Sequence, residues 1–250
     1  MTNIHDRATR WAGRMLAALG VMAMMLVSAQ QARAALIAGW NFNDQNLTVD
    51  HGAGFMTAVH PGGAWLDVTV SYSDISGHYA GLVNAVSGDV AGYGVLLKHA
   101  WAEGASGWPG PAGMYAQWQL DTTGYKDLVV SMSVAVSGGS KYDVSYSTDG
   151  VNFTNHAVDQ LLPGNDYANV NLSDGASYWS MDLSSVTAID NQATAYVRLV
   201  YSQSGSNAYG QEMRMDNVQF NATLVPEPGS VAMLGIGGLA MLMRRRRARA

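Results

Sequence analysis

Hydrolytic or metal chemistry in this chain would have to come from its carboxylates and histidines, and their spacing argues against both. A glycosidase needs two carboxyl groups facing each other across the scissile bond, one with a raised pKa. Between residues 36 and 225 there are only two glutamates, Glu103 and Glu212, and no strand pattern sets linked carboxylates on one face. The histidines of that stretch, His51, His60, His78, His99 and His156, are scattered without a His-x-x-x-His or Glu-flanked metal spacing. No Gly-x-Ser-x-Gly elbow occurs, and Gly52-Ala53-Gly54 lacks the strand and helix context of a nucleotide loop. Cysteine is absent, which removes thiolate nucleophiles, thiolate metal sites and disulfides together. These residues predict no catalytic group, no enzyme and no bound cofactor.

Binding chemistry has better material. Trp101, Trp108 and Tyr115 flank the glycine- and proline-rich segment from Gly104 to Gly113. Rings on a loop or sheet face can stack on sugar C–H groups while a few polar groups set orientation. Core burial of the same rings is the competing reading. Asp149, in Ser147-Thr148-Asp149-Gly150, is either a calcium ligand or the anchor of an Asx turn, and turn chemistry favours the second.

The elements that position these residues read as strands. Short alternating runs punctuated by Gly, Asn and Asp, with no amphipathic helical period of useful length, predict an all-β fold of two packed antiparallel sheets. Strands are expected near 36–43, 54–60, 65–71, 94–98, 114–120, 128–137, 141–147, 168–172, 195–202 and 214–224. Between Leu128 and Phe153 the alternation of Val130, Met132, Val134 and Val136 predicts one core-facing side. Gly138-Gly139 and Ser147 to Gly150 then predict a hairpin meander. No internal repeat is evident, which argues against a propeller or solenoid.

Both ends differ from this middle. Arg7, Arg10 and Arg14 precede an apolar run from Met15 to Ala29, and Ala32 and Ala34 supply the small residues that signal peptidase needs. Residues 1–34 therefore read as a signal helix for the general secretion machinery, cleaved after Ala34. At the other end, residues 225–250 carry Pro226-Glu227-Pro228, an apolar run, and the cluster Arg244, Arg245, Arg246, Arg247 and Arg249. A helix from Ser230 to Met243 would rise roughly 21 Å, short of the ~30 Å hydrocarbon core. It predicts a marginal single membrane span whose arginines stay on the cytoplasmic side of the inner membrane.

The arginines at the two ends mask the charge of what lies between. The whole chain carries a formal charge of −5, yet residues 36–225 hold five cationic side chains against seventeen acidic ones, a net charge of −12. Such a field repels nucleic acid, so no nucleic-acid partner is expected. Fifteen of the seventeen acids are Asp, a turn-former, which assigns most of them to solvated loops. About 190 residues suffice for one domain with a sizeable core, here 35–224.

The order Pro226-Glu227-Pro228, short apolar span and terminal arginines resembles the PEP-CTERM sorting tail of Gram-negative bacteria, also known as an "ice-binding protein C-terminal" region. That resemblance implies recognition of the tripeptide by a membrane-embedded exosortase. A further resemblance rests on Ala38-Gly39-Trp40-Asn41-Phe42-Asn43, on Tyr146 to Phe153, and on Arg214-Met215-Asp216-Asn217-Val218. These look like the exported jelly-roll domains often placed ahead of such tails, similar to concanavalin-like and carbohydrate-binding-module sandwiches. It implies that the first and last strands pair, setting Trp40 and Phe42 beside Val218 and Phe220. It also implies a structural calcium held by Asp216 with Asn41 or Asp44.

Together these readings predict an exported protein, transiently anchored by its tail and then delivered to the outer surface or biofilm matrix. Its expected role is structural or adhesive, alongside extracellular polysaccharide. A carbohydrate-binding module using Trp101, Trp108 and Tyr115 is the alternative, and a polysaccharide hydrolase comes third. Ice binding is not expected, because no Thr-x-Thr ladder at strand spacing is present.

Overall fold

A computed structural model describes residues 34–59, 69–71, 81–98, 115–136, 141–164, 172–203 and 212–225. The signal segment, the sorting tail, Trp101 and Trp108 lie outside these residues, as do Gly138-Gly139. Among the described residues no helix is long and apolar enough to cross a membrane. Residues 34–223 form one compact unit.

That unit is a sandwich of two sheets. The strands are β1 (Ala34–Trp40), β2 (His51–Gly52), β3 (Gly54–Val59), β4 (Thr69–Ser71), β5 (Val95–Lys98), β6 (Tyr115–Leu120), β7 (Tyr125–Val136), β8 (Lys141–Ser147), β9 (Thr154–Leu161), β10 (Tyr178–Asp182), β11 (Ala195–Gln203) and β12 (Glu212–Leu224). One sheet runs β10-β7-β12-β1-β2, with β5 also on β12 and β4 on β5; the other runs β3-β6-β11-β8-β9. Two 3-10 turns, Gly175–Ser177 and Thr187–Ile189, are the only helical elements among the described residues.

The first and last strands do pair. Trp40 faces Val218 and Ala38 faces Phe220 in an antiparallel ladder. The Phe220 ring then meets Trp40 at 6.1 Å edge-on and Trp118, on β6 of the opposite sheet, at 5.6 Å. All three are buried, so this aromatic cluster bolts the two sheets together. Trp40 also donates its indole N–H to the Leu47 carbonyl at 3.0 Å, which satisfies its one polar atom.

The expected meander over 128–153 is half correct. β8 and β9 form a hairpin through the Ser147 to Phe153 turn, but β7 and β8 lie in different sheets. Period-2 alternation says which face of a strand is buried and is silent about which strand it bonds to. The alternation on β7 was also read as one-sided, whereas Ser131, Ser133 and Ala135 are buried along with Val130, Met132, Val134 and Val136. Residues on either side of 165–171 meet the second face: Pro163 accepts the Val136 N–H, and Ser133 donates to the Leu172 carbonyl at 2.8 Å. Ser133 fits there because its one donor finds a backbone acceptor. The strand expected after the Ser147 to Gly150 turn, to which no bounds were given, is β9; strand β10 was not expected. A strand near 168–172 was, but 165–171 lie outside the described residues and Leu172 is in a turn.

β12 changes partner part-way along. Its first residues, 212–215, pair with β5, and residues 218–223 pair with β1. Asp216-Asn217 sit at the change, and Asn217 has φ +50°, a left-handed conformation that Asn tolerates better than most residues.

Candidate functional site

The outer face of the five-stranded sheet gathers the polar and aromatic side chains that the sequence left scattered. On β11 the residues Ala195, Val197 and Leu199 are buried, so Tyr196, Arg198 and Val200 point the other way. β6 does the same with Ala116, Trp118 and Leu120 inward and Tyr115, Gln117 and Gln119 outward. Register then aligns the outward residues in rows across the sheet. Arg198 lies opposite Gln117 and Ser145, and Gln117 opposite Thr57; Tyr196 lies opposite Gln119 and Ser147, and Gln119 opposite Phe55.

Arg198 is the centre of this face. Its guanidinium carbon lies 4.1 Å from the centroid of the Tyr115 ring and 3.4 Å from that of Phe153. Cation–π contact with two rings restrains the guanidinium, whose edge carries the hydrogen bonds. Nε donates to Gln117 Oε1 at 2.6 Å and Nη2 to the Tyr115 hydroxyl at 3.3 Å. The side chain is half-buried, and burial pulls its pKa down, offset in part by Tyr115, yet a guanidinium stays charged at any ordinary pH. The ion pairs among the described residues are His51–Asp89, Lys126–Asp127 and Lys141–Asp159; none involves Arg198.

Phe153 reaches this position because of the turn before it. Asp149 Oδ1 accepts the backbone N–H groups of Val151 and Asn152 at 2.9 and 2.8 Å, and Asn152 Nδ2 donates to Oδ2 at 2.7 Å. Asp149 is therefore the anchor of an Asx turn. Those donors, Asn152 first, hold its carboxyl far below the usual carboxylate range. Gly150, at φ +73°, lies over Tyr196, where an added Cβ would meet the ring at 2.9 Å. The Phe153 ring also packs edge-on against Tyr196, at 6.4 Å.

Tyr115 is thus the one of the three expected glycan-binding aromatics that the described residues include, and it is half-buried on this face. Arg198, Phe153, Tyr196, Gln117 and Gln119 were not singled out from sequence. Their outward period-2 spacing was visible; the register that aligns them was not.

A second cluster surrounds Asp216. Its carboxylate accepts the Gly81 N–H at 3.2 Å and the Asn217 N–H at 2.7 Å, and it is 1% exposed. Desolvation, reinforced by the nearby Asp89 charge and opposed by those two N–H groups, pushes it up to about 7. Asn217 Nδ2 donates to the carbonyls of Gly81 and Val83 at 2.9 and 3.0 Å, while Asn84 Nδ2 donates to the Asn217 carbonyl. Gln219 Nε2 donates to the Asn84 carbonyl. Further along the same strap, His51 Nε2 lies 3.1 and 3.0 Å from the two Asp89 oxygens. The Asn43 side chain holds Val90 and Tyr93. Residues 81–94 are therefore strapped across the β1–β12 edge.

The oxygens that the calcium expectation requires are engaged locally. Those of Asp216 take Gly81 and Asn217; Asn41 Oδ1 accepts the Asn43 N–H, and Asp44 Oδ1 the Asn46 N–H. No hydrogen bond or ion pair joins Asp216 to Asn41 or Asp44 among the described residues. Nor do those residues hold any group of three or more His, Asp or Glu placed for a metal.

Residues 224–247 match the model of the PEP-CTERM protein-sorting motif. The tail is that motif. It implies export, sorting to the cell surface and processing by an exosortase. No curated protein matches the chain. Among solved structures, a family 61 carbohydrate-binding module in complex with β-1,4-galactotriose is 10% identical, covering 72% of this chain and 92% of that one, with a TM-score of 0.35. A family 32 module from Clostridium perfringens is 12% identical over 67% of this chain and 91% of its own, with a TM-score of 0.30. The K2 adhesin domain of Lys-gingipain is 17% identical over 67% and 99%, with a TM-score of 0.29. With scores at this level, the functional reading rests on this chain's own residues.

Proposed function

We propose that the protein is a non-catalytic cell-surface or extracellular-matrix component that adheres to exopolysaccharide through the outer face of its five-stranded sheet. The supporting observation is the Tyr115–Arg198–Phe153 stack set among Gln117, Gln119, Tyr196 and the exposed Phe55. Rings offer faces to sugar C–H groups, and the amides and hydroxyls alongside can bond sugar hydroxyls. Half-buried side chains held by neighbours lose little freedom on binding, which favours recognition over a mobile surface.

In this reading the signal peptidase frees the chain near Ala34, and the tail holds it in the inner membrane with Arg244 to Arg249 cytoplasmic. The exosortase then acts at Pro226-Glu227-Pro228. Trp101 and Trp108, which precede Tyr115 in sequence and lie outside the described residues, keep the glycan-binding role expected of them from sequence. The test is a glycan array with the full chain in detergent. Retention that falls at least tenfold in Phe153→Ala, with unchanged thermal melting, supports the reading; a flat array would leave a purely structural matrix role. The same array read with and without calcium bears on the cation expected at Asp216, Asn41 and Asp44. Polysaccharide hydrolysis by the wild-type chain would overturn the non-catalytic assignment.

A further inference from the structure

Within a body of net charge −12, a half-buried arginine with no carboxylate partner among the described residues is a chemical anomaly. Lys126 and Lys141 each have an aspartate within 4.0 Å. Arg198 has two aromatic faces, one amide oxygen and one phenol hydroxyl, all neutral. A guanidinium has five N–H donors, and the two hydrogen bonds above use two of them. The group is planar, so the remaining donors lie along its edge. That edge is a pre-set fork for a planar anion, and carboxylate geometry matches it in a bidentate way.

Resting on the sheet-face reading above, we infer that the polysaccharide bound there is an acidic one, with the carboxylate of a uronic acid residue pairing with Arg198 between Tyr115 and Phe153. The neutral rings, Gln117 and Gln119 bind the neutral parts of the chain. The pairing fits the finding that, among the described residues, no acid forms an ion pair with Arg198: an aspartate in reach would occupy the fork. It is also compatible with the acidic body. Repulsion between the body and a polyanion is screened beyond about 8 Å at physiological ionic strength, whereas a partly desolvated contact pair is screened much less.

The test measures retention of the full chain, in detergent at 0.15 M salt, on polygalacturonate and on alginate. Each polymer is also used after chemical reduction of its carboxyl groups to neutral hydroxymethyl groups. Retention on at least one acidic polymer that falls tenfold or more on its reduced form is expected. Arg198→Gln is expected to bring retention on the acidic polymer down to that variant's own level on the reduced form, and Arg198→Lys to restore part of the preference. Equal retention on the acidic and reduced forms, lost in Phe153→Ala, would overturn the acidic class while leaving the sheet-face reading intact. An acid preference that survives in Arg198→Gln would overturn the assignment to this residue. Absence of retention on every polymer and across the glycan array would overturn the underlying reading as well. The comparison of acidic and reduced polymers needs no variant, so a substitution that failed to fold would not remove the test.

Discussion

The carboxylate of Asp216 accepts the backbone N–H of Gly81 at 3.2 Å, across 135 positions of sequence. It does so where β12 changes partner from β5 to β1, and it ties the 81–94 strap to that junction. A buried carboxyl bonded by only two N–H groups remains costly to ionise.

The pH dependence of stability follows from that cost. Asp216 is raised from 3.8 to about 7, so between those values the folded protein holds a proton that the unfolded chain releases. Its contribution is fully present below about pH 4 and is lost as pH rises through about 7. At ~1.4 kcal/mol per unit the swing amounts to a few kcal/mol. Urea unfolding at pH 5 and pH 8 should show Asp216→Asn gaining on the wild type by that amount as pH rises. Parallel profiles would refute the assignment.

Asp149 has the opposite sign. Its carboxyl is held far below 3.8 by the turn's N–H groups, so its contribution is present above about pH 4 and fades as pH falls below that value. Asp149→Ala should reduce the acid sensitivity of the β8–β9 hairpin, read as amide hydrogen exchange between pH 3 and pH 6. It should also loosen Phe153 from Arg198, lowering any glycan affinity at neutral pH.

Asn217→Ala removes both donors to Gly81 and Val83 and leaves an alanine at φ +50°. A lost buried bond costs about 1–3 kcal/mol for each partner left unpaired, and the left-handed backbone adds about 1 more. A loss of about 3 kcal/mol or more in chemical denaturation is expected, concentrated in exchange of the 81–94 amides. Uniform loss across the sandwich would contradict the strap.

Phe220→Ala opens the junction between Trp40 and Trp118. Removal of a fully buried aromatic costs about 3–5 kcal/mol, and both sheets should lose protection together. Preserved protection in either sheet would show that the ring does not couple them.

Replacing Glu227, or all of Arg244, Arg245, Arg246, Arg247 and Arg249, should leave the β-sandwich folded and mis-sort it. Cell fractionation with circular dichroism of the recovered protein checks both halves. Unchanged surface delivery in both variants would remove the sorting role assigned to these residues.

Much of the architecture was legible from residue order. Alternation on Tyr115 to Leu120 and on Ala195 to Val200 marks which residues face inward, and Ser147 to Gly150 marks a turn. The resemblance of Trp40 and Asp216-Asn217 to jelly-roll termini anticipated the pairing of β1 with β12. The turn at Ser147 to Gly150 announced β9, but its bounds escaped because Asn155, Val158 and Asp159 break the alternation, and its register with β8 shifts twice. The sheet crossing between β7 and β8 escaped because a glycine turn is equally compatible with a hairpin and an arch.

The candidate site was hidden for a related reason. Tyr115, Phe153 and Arg198 come from two strands and a turn separated by up to 83 positions. What the sequence determined alone was local: the sorting tail, the acidic composition, the strand periods and the turn at Asp149, each set by interactions within a few residues. Which strand lies beside which was decided only by the tertiary structure, because ladder hydrogen bonds are made by the backbone, common to every residue, and register is chosen by the fit of the whole core. Once that fit set Arg198 opposite Gln117 and beneath the Phe153 turn, residues of ordinary type became one face.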